Sequence, residues 1–292
     1  MDLEILEKIK KTTIIALFSD DELMETLVLK GGNAIDIFHH NISQRGSLDI
    51  DLSIEKDFEE SPDKMEKKFS LILKETFKNE GYKVFDLKLK EKPKRKESDN
   101  LTFWSGYQLE FKLILETLCE KEGIDENDIE AMRKYAHPVG KNRSPKFLID
   151  ISKYEFCKGK ESFDLEGYKI YVYSPAMIVF EKTRAICQQT EDYKKIIKSR
   201  TRKPRAKDFF DIYILMENYD IDLQSRGNLE LLKGIFDAKK VPLKLIKKIR
   251  EDKNFHETDF VSVKDTVKAG VDLKEFDFYF NYVLGVFENV QF

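Results

Sequence analysis

The tightest constraint on this chain is the run Lys30-Gly31-Gly32-Asn33, followed by Ser47-Leu48-Asp49-Ile50-Asp51. The apolar stretch Thr26 to Leu29 ends at the glycines and a helical pattern opens at Asn33, so the spacing predicts strand, tight turn and helix. The segment Leu48 to Ile54 reads as a further strand, in which residues two apart project from one face. Leu48, Ile50 and Leu52 then share the buried face, and Asp49 and Asp51 share the other. Two neighbouring carboxylates repel each other unless a cation sits between them. A hard divalent ion such as Mg²⁺ suits that pair, with substrate phosphates completing its shell. The glycine turn allows close backbone approach and leaves free N–H groups at a helix start, which suits a phosphate. The combination points to nucleotide chemistry.

At 292 residues the chain can bury a full core and is expected to form two packed lobes, residues 1–173 and 174–292. With 41% hydrophobic and 36% charged residues it falls outside the disordered class. A net charge of −3 gives no global basic field, so any nucleic-acid surface must be local. Cys119, Cys157 and Cys187 form no metal-ligand pair and read as reduced core thiols. Residues Met1 to Lys11 lack a signal-peptide core, and Thr13 to Phe18 is too short to span a bilayer. A cytoplasmic protein without membrane spans is expected.

Along the chain, an amphipathic helix is predicted from Leu3 to Leu17 and a charged helix from Pro62 to Phe77. Tyr82–Leu89, Tyr107–Leu115, Phe147–Ile151 and Tyr168–Tyr173 alternate as strands. Ser174-Pro175 reads as N-cap and first helical residue. After Asp208 the pattern is helical to the end, with a core-like aromatic group from Phe276 to Phe280.

Leu29-Lys30-Gly31-Gly32-Asn33-Ala34 and Arg45-Gly46-Ser47-Leu48-Asp49-Ile50-Asp51-Leu52 resemble the signature of polymerase β-type nucleotidyltransferases. Glu181-Lys182-Thr183-Arg184-Ala185 and Arg205-Ala206-Lys207-Asp208-Phe209-Phe210-Asp211-Ile212 narrow the resemblance to the AbiEii-like branch, toxins of type IV toxin–antitoxin and phage-abortive systems. It spans residues 28 to 215 in separated blocks. The implied fold is α/β (α+β): a nucleotidyltransferase lobe with a mixed sheet, then a mainly helical C-terminal lobe. The implied reaction moves a nucleoside monophosphate from an NTP to an acceptor and releases pyrophosphate.

The resemblance also assigns roles. Asp49 and Asp51 would hold one or two Mg²⁺ ions. Asp150 would be the third carboxylate and general base, or else a structural salt bridge, with Glu110 as competitor. Lys182 would contact the triphosphate, and Asp208 would support it. Lys30, Gly31, Gly32 and Asn33 would cradle the phosphates, although the superfamily usually has serine or threonine where this chain has Asn33. Ser47 either bonds a phosphate or merely begins the strand, and Asp211 is expected to brace Arg184 or Arg205.

Two basic runs stand out. Lys88 to Lys96 is expected to be a solvated hairpin tip, while Lys194 to Lys207 lies next to Asp208 and could hold an RNA backbone. The four histidines show no ligand spacing. A tRNA 3′ end is one acceptor the resemblance suggests, and a cognate antitoxin is its expected partner. Protein nucleotidylation, small-molecule nucleotidyl transfer and a nucleotide-binding scaffold without turnover remain open alternatives.

Overall fold

A computed structural model describes residues 3–38, 42–46, 49–93, 103–139, 143–198 and 201–290. In chain order the elements begin α1 (Leu3–Phe18), α2 (Asp21–Thr26), β1 (Val28–Lys30), α3 (Gly31–Phe38), β2 (Ile50–Ser53) and α4 (Pro62–Asn79). Next come β3 (Tyr82–Lys92), β4 (Gly106–Leu115), α5 (Glu116–Glu122), α6 (Ile129–Lys134), β5 (Phe147–Ser152), β6 (Lys160–Leu165) and β7 (Tyr168–Tyr173). The rest is helical: α7 (Pro175–Cys187), α8 (Glu191–Lys194), α9 (Ala206–Asn218), α10 (Arg226–Asp237), a 3₁₀ stretch (Leu243–Asp252), α11 (Lys253–Glu257), α12 (Phe260–Lys264) and α13 (Phe276–Glu288). The fold is the expected α/β one, with a mixed sheet followed by a mainly helical C-terminal portion.

The strands form one seven-stranded sheet in the order β3-β4-β5-β2-β1-β7-β6. β2 runs parallel to β5 and β1 parallel to β7, and the remaining neighbours are antiparallel. One face is apolar: Leu29, Ile50, Leu52, Ile149 and Leu109 are fully buried. The alternation that buries them sends the intervening residues to the opposite face, where the charges gather.

The C-terminal aromatics have a specific task. Phe209 packs against Phe276 and Phe280 at 5.4 Å each, and Phe210 against Tyr279 at 5.2 Å. These contacts fix α9, whose first turns carry Asp208 and Asp211. Helix α7 starts as its sequence predicts, with the Ser174 hydroxyl accepting the Met177 N–H and Pro175 in the first turn. It is buried almost all round, including Lys182, Thr183 and Arg184. A helix this enclosed must pair every charge it carries.

Candidate active site

The sheet register builds the site. Lys30 on β1 stands opposite Asp51 on β2, Asp51 opposite Asp150 on β5, and Asp150 opposite Gln108 on β4. Register partners project from one face, so these four side chains form a row across the sheet. Lys30, Asp51 and Asp150 border a cleft of about 920 Å³, which Asp49, Gly31 and Gly32 also line. Asp49 lies just before β2 rather than inside it, and is exposed. Gln108 Nε2 donates to Asp150 Oδ1 at 3.0 Å, and Lys92 Nζ lies 3.6 Å from the same oxygen. Lys92, exposed at the end of β3, thus also lines the mouth of the cleft, whereas 94–96 lie outside the described residues.

Burial pushes the Asp51 carboxyl up to about 6; Lys30 opposes this, while Asp150, Glu181 and Asp49 add to it. Lys30 is held above its ordinary value because Glu155 and Glu181 outweigh the cost of its burial. Its ammonium donates to Ser152 Oγ at 3.1 Å and Glu155 Oε1 at 3.3 Å. Glu155 is the hub of this buried layer, meeting Arg184 at 2.6 Å and Lys239 at 3.5 Å. Burial alone would raise its pKa, yet Arg184, Lys30 and Lys239 hold it far below the carboxylate range.

A second network links α7 to α9. Lys182 Nζ lies 3.1 Å from Asp208 Oδ1 and 2.6 Å from Asp211 Oδ2. Arg205 pairs with Asp208 at 2.6 Å, and Arg45 binds Asp211 through both sides of its guanidinium. Asp211 therefore braces Arg45 and Lys182, not Arg184 or Arg205 as its spacing suggested. Burial would raise its pKa, but Arg45 and Lys182 hold it at about 2. His256 is also more than incidental: it is buried, and its Nδ1 accepts the Arg205 backbone N–H at 3.1 Å where α9 begins.

The family model of the nucleotidyl transferase AbiEii toxins, type IV toxin–antitoxin system, matches residues 14–282. The chain belongs to that family. It is a nucleotidyltransferase, of a toxin type. The similar solved structures include JHP933 from Helicobacter pylori, 16% identical, covering 97% of this chain and 88% of that one at a TM-score of 0.49. Another is MenT4, a nucleotidyltransferase toxin from Mycobacterium tuberculosis H37Rv, 10% identical, covering 98% of this chain and 84% of that one at a TM-score of 0.47. Likenesses at this level add nothing to what the family match establishes. No curated protein matches the sequence.

Against the AbiEii expectations, Lys30, Gly31, Gly32, Asp49, Asp51, Asp150, Lys182 and Asp208 all line the one cleft. Asn33 is fully buried, and its amide donates to the Asp49 carbonyl. Glu110, the alternative to Asp150, points into a separate basic patch and pairs with Lys90 at 2.5 Å. Ser47 lies outside the described residues. Among those described, no three His, Cys, Asp or Glu side chains converge closely enough to hold a metal ion. Asp51 and Asp150 still form a hard-oxygen pair beside Asp49, fitting an ion that takes its other ligands from a triphosphate and water.

Sequence reasoning missed Glu155 and Gln108, whereas Arg45, which the sequence leaves as either a phosphate contact or a surface residue, is instead paired with Asp211. Gln108 carried a usable signal, since it is the lone neutral polar residue in the strand Tyr107 to Leu115. Gly31 explains why the turn needs glycine: its φ is +69°, and a Cβ there would meet Asp51 Oδ2 at 2.7 Å. Gly31→Ala is expected to cost about 1–2 kcal/mol in backbone strain alone. It should also displace the Asp51 carboxylate, so that thermal unfolding and nucleotidyl transfer fall together.

Proposed function

We propose that this protein transfers a nucleoside monophosphate from an NTP to a hydroxyl of RNA, such as a tRNA 3′ end, with Mg²⁺ bound at Asp49, Asp51 and Asp150. The observation that carries this reading is the in-register pair Asp51 and Asp150, flanked by the buried Lys30 and open to the cleft. Bound Mg²⁺ would supply charge neutralisation of the triphosphate and the departing pyrophosphate. Gly31 and Gly32, at the start of α3, offer backbone N–H groups to the phosphates. Lys182, held by Asp208 and Asp211, adds a fixed positive charge at the cleft.

As the acceptor oxygen bonds to the α-phosphorus, its proton passes to the Asp150 carboxylate. The bond from the α-phosphorus to the β-phosphate bridging oxygen then breaks, and its electron pair leaves with pyrophosphate. Gln108 orients Asp150 for this. Asn33 acts indirectly, through the Asp49 carbonyl, and Ser47 stands near enough in sequence to Asp49 to contact a phosphate.

Support for an RNA acceptor comes from the segment before α9. Lys194, Lys198 and Lys203 are exposed, and Arg205 and Lys207 line the cleft. Several cations of that run also hold ion pairs: Arg202 meets Glu191 and Asp252, Lys195 meets Asp192, and Arg205 meets Asp208. The type IV family implies an antitoxin partner, and a cytoplasmic role in phage defence follows from the same reading. Among the described residues no helix is long and apolar enough to cross a membrane.

The test incubates purified protein with Mg²⁺, each α-³²P-labelled NTP and total cellular RNA, beside an Asp49→Ala Asp51→Ala variant. Label in a tRNA-sized band, lost in the variant, is the expected result. Label in protein instead would move the acceptor to a protein hydroxyl. No label with any NTP would sink turnover and leave a nucleotide-binding scaffold.

A further inference from the structure

One part of the cleft has no role in the chemistry above. Its far end is formed by Trp104, half-exposed, whose ring centroid lies 6.4 Å from that of Tyr193 on α8. The segment carrying Trp104 is pinned on both sides. Lys239, itself buried, reaches across from the end of α10 and donates to the Phe103 carbonyl at 3.1 Å and the Lys153 carbonyl at 2.5 Å. The Ser105 carbonyl accepts the Lys153 N–H at 3.0 Å. Gly106 lets this segment lie flat on β5, since a Cβ there would meet the Ile151 carbonyl oxygen at 2.3 Å. Lys239, balanced by Glu155 at 3.5 Å, thus ties two backbone carbonyls together, and what it fixes is an aromatic ring bordering the cleft.

Both walls of the cleft change character in the same direction. On β4, Gln108 faces Asp150, and Trp104 comes four residues earlier, in the bend that leads into the strand. On α7, the cleft residues run from Glu181, Lys182 and Arg184, the last paired with Glu155, to Ala185 and the C-cap Gln188, about 10 Å along the helix. Glu181 lies beside Lys30 at 4.0 Å, and Gln188 donates to the Tyr193 hydroxyl at 3.3 Å. The charged ends therefore coincide, and so do the neutral and aromatic ends. A nucleotide has this polarity: phosphates at one end, a flat base at the other.

We propose that Trp104 is the stacking platform for the base of the NTP, with the Gln188 amide at the edge of that base. The proposal rests on the nucleotidyl-transfer reading and extends it to the residues that choose the nucleotide. Stacking on a tryptophan tolerates every base, so Trp104 supplies affinity and Gln188 supplies discrimination.

Trp104 is the single tryptophan of the chain, which makes it its own reporter. Wild-type protein with Mg²⁺ is titrated with α,β-methylene nucleoside triphosphates, which cannot be turned over, and with inorganic triphosphate. Tryptophan fluorescence and calorimetry are read together. Expected are saturable quenching by the nucleotides and none by inorganic triphosphate. Trp104→Ala should weaken nucleotide binding roughly 10- to 100-fold and leave inorganic triphosphate binding unchanged. Trp104→Tyr should retain most of the nucleotide affinity. Equal weakening of nucleotide and inorganic triphosphate would reduce Trp104 to a structural residue and overturn the proposal. Calorimetric nucleotide binding without quenching, or quenching by an oligoribonucleotide alone, would overturn it and leave nucleotidyl transfer intact. Absence of any nucleotide binding would overturn both.

Discussion

Asp51→Asn is expected to lower nucleotidyl transfer on the order of 10³-fold while raising the melting temperature at neutral pH. The two effects share one cause. The Asp51 carboxyl is pushed up to about 6 by burial, with Asp150, Glu181 and Asp49 adding repulsion that Lys30 only partly offsets. Between the ordinary aspartate value and about pH 6 the folded state binds a proton that the unfolded chain has lost, so stability falls as pH rises through that window. Above it the full penalty is present, about 1–3 kcal/mol, and asparagine never incurs it. The variant should melt several degrees higher at pH 7.5, and the gap should close as pH falls from 6 towards 4. Added Mg²⁺ should raise the melting temperature of the wild type more than that of the variant, because the ion relieves the same repulsion. A variant less stable than wild type at neutral pH, or a gap indifferent to pH, would refute this account of the site.

How far the sequence reveals such a site depends on whether the information is local. Asp49, Asp51 and the glycine turn lie close together in sequence, and the strand period alone puts the acids on one face. Asp150 was visible because an acid inside Phe147-Leu148-Ile149-Asp150-Ile151 has to be paired or liganded. Ser174-Pro175 announced α7 because capping is a local interaction. For Asn33, its place after the glycines suggests a phosphate contact, and only the packing of α3 on β2 reveals that its amide donates to the Asp49 carbonyl. Glu155 was illegible: it follows the predicted strand Phe147–Ile151 in a segment with no motif, and its three cations come from β1, α7 and the end of α10. The strand β6 was missed as well, because its residues are mostly half-buried or exposed and leave no clean alternation. The aromatic group Phe276 to Phe280 declared itself as core, but not that it was the core behind Asp208 and Asp211.

Glu155→Ala is expected to be the most destabilising single change in the site, at roughly 3–5 kcal/mol, or about 10 °C in melting temperature. The substitution removes the one carboxylate shared by Arg184 at 2.6 Å, Lys30 at 3.3 Å and Lys239 at 3.5 Å. Glu181 remains for Arg184, but Lys239 keeps only the two carbonyls it already holds. Glu155→Gln preserves shape and an acceptor oxygen yet still leaves the cations uncompensated, so it should fall between Ala and wild type. Arg226→Ala, which breaks a fully solvated pair with Glu230, should leave the melting temperature unchanged. Because the native Glu155 is held far below its ordinary value, its contribution is complete above the unfolded-state value and is lost as pH falls beneath it. The gap between wild type and Glu155→Ala should therefore be widest at neutral pH and narrow on acidification. A loss under 1 kcal/mol at pH 7 would mean that the buried cations are solvated through the cleft. The effect should also reach the chemistry, because Glu155 is what permits a charged lysine to sit buried next to Asp51. Without Glu155, Lys30 keeps the cost of burial and loses its principal counter-charge, so the ammonium is driven towards its neutral form. Asp51 then loses the cation that most lowers its pKa, and the carboxylate proposed to hold the metal becomes harder to ionise. A residue that need touch no substrate would in that way set the charge state of one that does.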